Sequence, residues 1–138
     1  MPIINFTPGD ILRQKLVPEG WYGAKITQIL GPTNSKAGDS INFTFSFTLD
    51  EKSPAPGKVI VRTFNSKMIG LMIPVIAAIR NVTVDTIIND PTALKQFNTD
   101  DALNKDLDIK VTRTIYEGQM RNEADGFLPF GMGSSIPF

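Results

Sequence analysis

The side chains of this chain that could do chemistry are cations and aromatic rings placed among polar residues. Trp21 and Lys25 are an even number of positions apart in one short alternating segment, so they would lie on the same face of a strand. The same holds for Lys110 and Tyr116 in another segment. The remaining candidates are Lys36, Lys58, Arg62 and Arg121. Cationic side chains hold anions such as phosphate, and exposed rings stack on other flat rings. The set therefore predicts a surface that binds a ligand with both anionic groups and flat rings.

Each candidate also has a structural interpretation. Trp21 is the only tryptophan, and a lone tryptophan in a small domain is more often part of the core than a stacking platform. Tyr116 is open to both interpretations, whereas Tyr22 and Phe64 are expected to pack. A single lysine on a strand commonly serves solubility rather than binding.

The composition argues against catalysis and against a metal site. The chain has no histidine and no cysteine, which removes the commonest general base, the thiol nucleophile and the usual soft metal ligands. It also lacks a glycine-rich phosphate loop and a serine in a nucleophile elbow. The acidic residues at 100, 101, 106 and 108 could suggest a metal ion, but a solvated connection is the stronger interpretation. We predict no enzyme activity, no catalytic residue, no metal and no cofactor.

The strongest structural pattern lies at Ile41–Leu49, where five large apolar residues occupy every second position. A period of two puts them on one face of a strand. A turn at 51–57, rich in proline and glycine, precedes a β-branched segment at 58–64. These segments predict a hairpin with one buried aromatic face and one polar face.

The other elements follow from weaker patterns. Asn65 or Ser66 is expected to cap a helix that begins near Lys67 and that Pro74 kinks or splits. Further strands are predicted at 20–30, 107–116 and 119–127, with a phase break near residue 28 and a turn at 117–118. The minor elements are a loop at 31–38, an irregular or briefly extended stretch at 81–88, and a short helix from 90 to 97.

With 138 residues the chain has the size of one domain. We predict a surface arm at residues 1–17, a folded domain at 18–128 and a flexible tail at 129–138. The net charge is zero, but residues 1–80 carry nine basic and five acidic side chains, whereas residues 81–138 carry five and nine. This asymmetry allows a basic patch, although chance would also produce it. With no leader or membrane span visible, we expect a soluble cytoplasmic protein without a membrane partner, and the oligomeric state stays open.

The predicted order of three strands, a helical region and two further strands is that of an OB-fold, a small β-barrel. The expected fold is therefore mainly β, a five-stranded OB-fold barrel with a helix between strands 3 and 4. Such barrels commonly bind single-stranded nucleic acid through a basic groove and exposed aromatic side chains. The eight candidate residues fit that mode of binding.

The chain also resembles the small single-stranded-DNA-binding proteins of tailed bacteriophages, over roughly residues 18–129. The segments that carry the resemblance are 18–22, 34–38, 41–49, 57–64, 116–119 and 126–129. The resemblance implies an OB-fold and a role in coating single-stranded DNA during phage replication and recombination, in the cytoplasm of the host cell.

The last three residues, Ile136, Pro137 and Phe138, are similar to the terminal tripeptide of bacterial single-stranded-DNA-binding proteins. In that family the tripeptide docks replication and repair partners and follows acidic residues, whereas this chain has Gly133 and two serines there. The resemblance implies a partner-binding tail for replication or recombination proteins. The alternative is that the terminal phenylalanine packs against its own barrel or a neighbouring subunit.

Together these observations predict binding of single-stranded DNA with little sequence preference, by base stacking and phosphate contacts. The alternative is a protein-interaction or virion-structural β-barrel with no nucleic-acid binding, which the zero net charge favours. RNA binding is a third possibility, because stacking grooves discriminate poorly between the two nucleic acids.

Overall fold

The computed structural model describes residues 3–90, 92 and 97–133. Its main feature is one five-stranded antiparallel sheet with the strand order β3-β2-β1-β4-β5. The strands are β1 (Gly20–Asn34), β2 (Ile41–Leu49), β3 (Val59–Asn65), β4 (Asp106–Tyr116) and β5 (Gln119–Leu128). The prediction of a mainly β protein with five strands is confirmed. The sheet is not closed, since β3 and β5 are its two edges.

The predicted helix between β3 and β4 is also confirmed. The side chain of Asn65 accepts from the backbone N–H of Lys67 and caps a 3₁₀ helix, Ser66–Met72. The helix α2 (Ile73–Ile79) follows directly and has Pro74 in its first turn. Pro74 thus splits the helical region as expected, because proline fits a first turn but not a helix interior.

Other elements differ from the sequence prediction. The N-terminal segment contains a helix α1 (Pro8–Gln14), which a capping box between Thr7 and Asp10 begins. The irregular or extended stretch predicted at 81–88 is wrong, because a helix α3 (Val84–Ile88) forms there with Thr83 as its N-cap. A short 3₁₀ helix, Thr99–Asp101, precedes β4, and most of the helix predicted at 90–97 lies outside the described residues.

The first strand is longer than predicted. The loop expected at 31–38 is wrong in its first half, since β1 continues to Asn34 and pairs there with Ile41 of β2. The predicted phase break near residue 28 is confirmed by an irregular register between Ile26 and Gln28. Such a bulge lets a strand bend and twist more strongly, and it helps the sheet to curl.

The core lies inside the curl of the sheet and is rich in phenylalanine. Phe45 and Phe64 meet edge to face with ring centroids 5.4 Å apart, and Phe47 lies 5.3 Å from Phe127. The alternation of β2 therefore puts its aromatic residues inside, as the sequence predicts. Each such pair contributes about 0.5–1.5 kcal/mol beyond its buried area. The helix α2 adds further buried apolar residues to this core.

The N-terminal arm ends inside the core. Val17, its last predicted residue, has no exposed surface. Its backbone N–H donates to Oδ1 of Asn122 at 2.9 Å, and Nδ2 of Asn122 donates to the carbonyl oxygen of Val17 at 3.0 Å. This pair of hydrogen bonds attaches the arm to β5, so the end of the arm is not a surface segment.

Candidate nucleic-acid interface

A groove of about 820 Å³ lies between the two edges of the sheet. One wall consists of β3 with the residue before it, and the other consists of β5, the end of β4 and the turn between them, while Gln14 and Leu16 of the N-terminal segment also line the groove. Four of the eight predicted binding residues line this groove: Lys58, Arg62, Tyr116 and Arg121. They come from two hairpins that are far apart in the chain, and the curl of the sheet brings them together.

Arg62 connects the two walls at the bottom of the groove. Its Nη1 donates to the carbonyl oxygen of Ala124 at 2.7 Å, which links β3 to β5. Its guanidinium also lies 5.3 Å from the ring centroid of Phe64. Because arginine has five N–H donors in a fixed plane, a single hydrogen bond to Ala124 holds the group in place without using its whole donor set.

Lys58 is the most buried cation of the groove, with only 5% of its surface exposed. It directly precedes β3, and its backbone carbonyl accepts from Leu49 N–H at 2.8 Å. Burial lowers the pKa of its ammonium group, since removing a charge from water disfavours the charged form.

Tyr116 and Arg121 form the aromatic part of the opposite wall. Tyr116 is 52% exposed, and the guanidinium of Arg121 lies 4.1 Å from its ring centroid. Nη2 of Arg121 also contacts Oε1 of Glu123 at 3.1 Å. A guanidinium over one face of a tyrosine ring leaves the opposite face of the ring for a base to stack on, and arginine can itself stack on a base.

Three carboxylates line the same groove: Glu117, Glu123 and Asp125. The first lies in the turn between β4 and β5, and the other two lie on β5. Sequence reasoning does not single them out, although a signal exists for Glu123. A period of two puts it on the same face of β5 as Arg121. The groove is therefore polar with charges of both signs, and it is not a uniformly basic channel.

The other four predicted residues lie outside the groove. Trp21, Lys25 and Lys110 occupy the outer face of β1 and β4, which is the face opposite the core, and Trp21 pairs directly with Lys110. Lys36 is exposed in the loop between β1 and β2. Four of the predicted residues thus line the groove and four do not, although Tyr116 and Arg121 share with Lys110 the face of β4 and β5 that is opposite the core.

The chain beyond β5 covers Trp21. Gly133 is buried, and its N–H donates to Oδ2 of Asp108 at 2.7 Å. A Cβ on Gly133 would lie 2.8 Å from Cβ of Trp21, and one on Gly126 would lie 3.3 Å from its Cη2. Trp21 is consequently half-buried, neither a core residue nor an open platform. Of the predicted tail, Gly133 packs on the sheet while Phe130 and Met132 are exposed, and Ile136, Pro137 and Phe138 lie outside the described residues.

Within the described part of the chain, no group of three or more acidic side chains is placed to hold a metal ion. The carboxylate of Asp108, in the acidic stretch before and within β4, instead accepts a backbone hydrogen bond. Among residues 3–90, 92 and 97–133, no helix has the length and apolar character needed to cross a membrane.

No protein-family model matches the chain, and no curated protein matches it either. Function has therefore to be inferred from the chemistry of the groove and of the surfaces around it.

Proposed function

We propose that this protein binds single-stranded DNA in the groove between β3 and β5, without reading a defined sequence and without catalysis. The observation that carries the proposal is the convergence of two cations, an aromatic ring and a stacked guanidinium on one groove: Lys58, Arg62, Tyr116 and Arg121. Grooves that bind single strands combine these two kinds of group, because phosphates need cations and bases need flat surfaces.

The topology supports the OB-fold as the architecture of this site. The order β3-β2-β1-β4-β5, with a helix after β3, is that of a five-stranded barrel whose last gap lies between β3 and β5. Arg62 and Ala124 approach across that gap, and Phe64 lies 6.3 Å from Phe127 beneath it. OB-folds are partly open barrels that bind oligonucleotides on one sheet face and adjoining loops, including the loop between strands 4 and 5.

In this mode of binding, Lys58 and Arg62 contact phosphates while a base stacks on Tyr116 and Arg121. Each stacked base contributes about 1–3 kcal/mol by comparison with other single-strand binders. Lys25, Lys36, Lys110 and Trp21 lie outside the groove and are assigned no direct contact. The biological role that fits is the coating of single-stranded DNA in phage replication and recombination, with the terminal tripeptide as a docking segment for partner proteins.

The test is a fluorescence-anisotropy titration of a labelled oligo-dT at two salt concentrations. Tyr116→Leu should weaken binding about tenfold, since it removes the ring but keeps an apolar side chain of similar bulk. Lys58→Met should reduce the log–log salt slope by about 0.7, the value for one lost phosphate contact on a single strand. Lys52→Met, which removes the same charge from an exposed site outside the groove, is the matched control.

Unchanged anisotropy with the wild-type protein, or equal losses in Lys58→Met and Lys52→Met, would contradict the proposal. An RNA oligomer of the same sequence tests whether the groove accepts ribose, since the 2′-hydroxyl is the group that separates the two ligands.

One observation favours a protein partner as the second candidate. Apolar side chains at and beside the rim of the groove are exposed: Val59, Val61, Ile115 and Met120. Exposed apolar patches with a polar surround are typical of protein-interaction sites, and the edge of β3 or β5 could pair with an added strand. A nuclease-resistant complex with another protein, together with absent DNA binding, would support this candidate.

A further inference from the structure

The two walls of the groove differ in charge. The β3 wall, at residues 58–63, carries Lys58 and Arg62 and has no carboxylate. The β5 wall carries three carboxylates: Glu117, Glu123 and Asp125. A bound polynucleotide carries a negatively charged phosphate at every nucleotide. The two walls should therefore contact different parts of it.

The single cation of the β5 wall is already engaged. The guanidinium of Arg121 lies over the ring of Tyr116 and contacts the carboxylate of Glu123. Its positive charge is offset by Glu123, which leaves the other two carboxylates of this wall to repel phosphate. Like charges repel and opposite charges attract most strongly at short range, so the phosphates are favoured on the β3 wall.

On the premise that the groove binds single-stranded DNA, we propose that the bases face β5, where Glu123 and Asp125 select those that carry an exocyclic amino group. The phosphates follow β3, past Lys58 and Arg62. The planar surface of Tyr116 and Arg121 takes a base, and the two carboxylates lie on the same wall as that surface.

The selection follows from hydrogen-bond chemistry. An ionised carboxylate only accepts hydrogen bonds. Cytosine and adenine present an amino donor, which a carboxylate accepts, whereas thymine and uracil present a carbonyl acceptor at the corresponding position. Uracil and thymine can offer a carboxylate only the ring N3–H, which lies between two carbonyl oxygens that repel the carboxylate. The groove should therefore prefer cytosine over uracil or thymine while still binding all of them by stacking.

The experiment compares oligo-dC with oligo-dU of the same length by anisotropy, at mildly alkaline pH where cytosine is neutral. Cytosine has an amino group where uracil has a carbonyl group. Uracil is used instead of thymine because it lacks the methyl group, which would be a second difference. The wild-type protein should bind oligo-dC about fivefold more tightly, the effect expected of one net hydrogen bond. The double variant Glu123→Gln, Asp125→Asn should bind both oligomers with equal affinity, because an amide can donate as well as accept.

Glu51→Gln, a change of the same type in an exposed turn outside the groove, should keep the wild-type ratio. Measurable but equal binding of oligo-dC and oligo-dU by the wild-type protein would overturn this inference and leave the proposed function standing. The persistence of the preference in the double variant would also overturn it. Absence of binding to either oligomer would overturn both the inference and the proposed function.

Discussion

Lys58 has an environment that strand lysines rarely have. Its side chain is almost wholly buried, and burial lowers its pKa. A buried cation is unfavourable for stability unless it is compensated, and buried ionisable groups with perturbed pKa values are found at functional sites more often than elsewhere. A buried lysine with a lowered pKa in a groove is therefore a candidate functional residue.

The buried ammonium predicts a specific pH dependence of stability. In the unfolded chain Lys58 regains its ordinary pKa of about 10.5. Between the lowered pKa and that value, the unfolded state binds more protons than the folded state, so this residue makes the fold more stable as the pH rises. The free energy of unfolding of the wild-type protein should therefore increase relative to that of Lys58→Met over this window.

Urea denaturation of both proteins at several alkaline pH values measures this difference. Tyr22, whose pKa burial raises, is present in both proteins, so its titration cancels in the comparison. The account of Lys58 would be contradicted if the difference in unfolding free energy stayed constant, or if the wild-type protein became less stable relative to Lys58→Met as the pH rises.

The burial of a single residue can be predicted from sequence where it depends on the alternation of its own strand. The prediction fails where a distant segment of the chain covers the residue. Parity correctly separates Trp21 from the core residues Ala24 and Ile26. It gives no sign that Gly126 and Gly133 cover the indole, because that contact depends on where the chain goes after β5. Parity places Glu123 beside Arg121, but this carboxylate becomes important only once β5 is known to face β3.

At the level of elements, the N-terminal arm shows the same division between local and distant signals. The start of α1 is readable from sequence, since Thr7, Pro8 and Asp10 form a capping box with proline in the first turn. The attachment of Val17 to Asn122 joins residues 105 positions apart. No local sequence pattern encodes that contact. The sequence alone therefore predicts a surface arm and misses its attachment to β5.

Asn122 should be the main polar anchor of this arm. Asn122→Ala leaves the backbone N–H of the buried Val17 without its partner, whereas the Val17 carbonyl still accepts from Nε of Arg113 at 3.1 Å. An unsatisfied buried group costs about 1–3 kcal/mol. We expect a loss of that size in the free energy of unfolding, measured by urea denaturation. Asn5→Ala, at an exposed position, should change stability by less than about 0.5 kcal/mol. Equal stabilities of the two variants would contradict this role of Asn122.

For the whole molecule, the order of elements is enough to predict the sheet but not its closure. Alternation at Ile41–Leu49 and the split at Pro74 correctly predict β2 and the helical region after β3, whereas α1 and α3 are not predicted. Whether β3 and β5 join depends on side chains that lie between them, above all Arg62 with its hydrogen bond to Ala124. The groove lies between β3 and β5, where these two strands would pair in a closed barrel.

The uneven distribution of charge along the chain corresponds to the difference in charge between the two walls of the groove. The basic part, residues 1–80, supplies the β3 wall, and the acidic part, residues 81–138, supplies the β5 wall. A net charge of zero therefore does not exclude binding of a polyanion, because the binding surface is formed where the two parts meet.

The most direct test of the central claim is a map of backbone amide chemical shifts as ¹⁵N-labelled protein is titrated with a single-stranded oligomer. The groove predicts that the largest shifts fall at residues 58–63 and 116–125, with smaller changes on the outer face of β1. Shifts confined to the surroundings of Trp21 and Lys110, or no shifts at saturating oligomer, would contradict it.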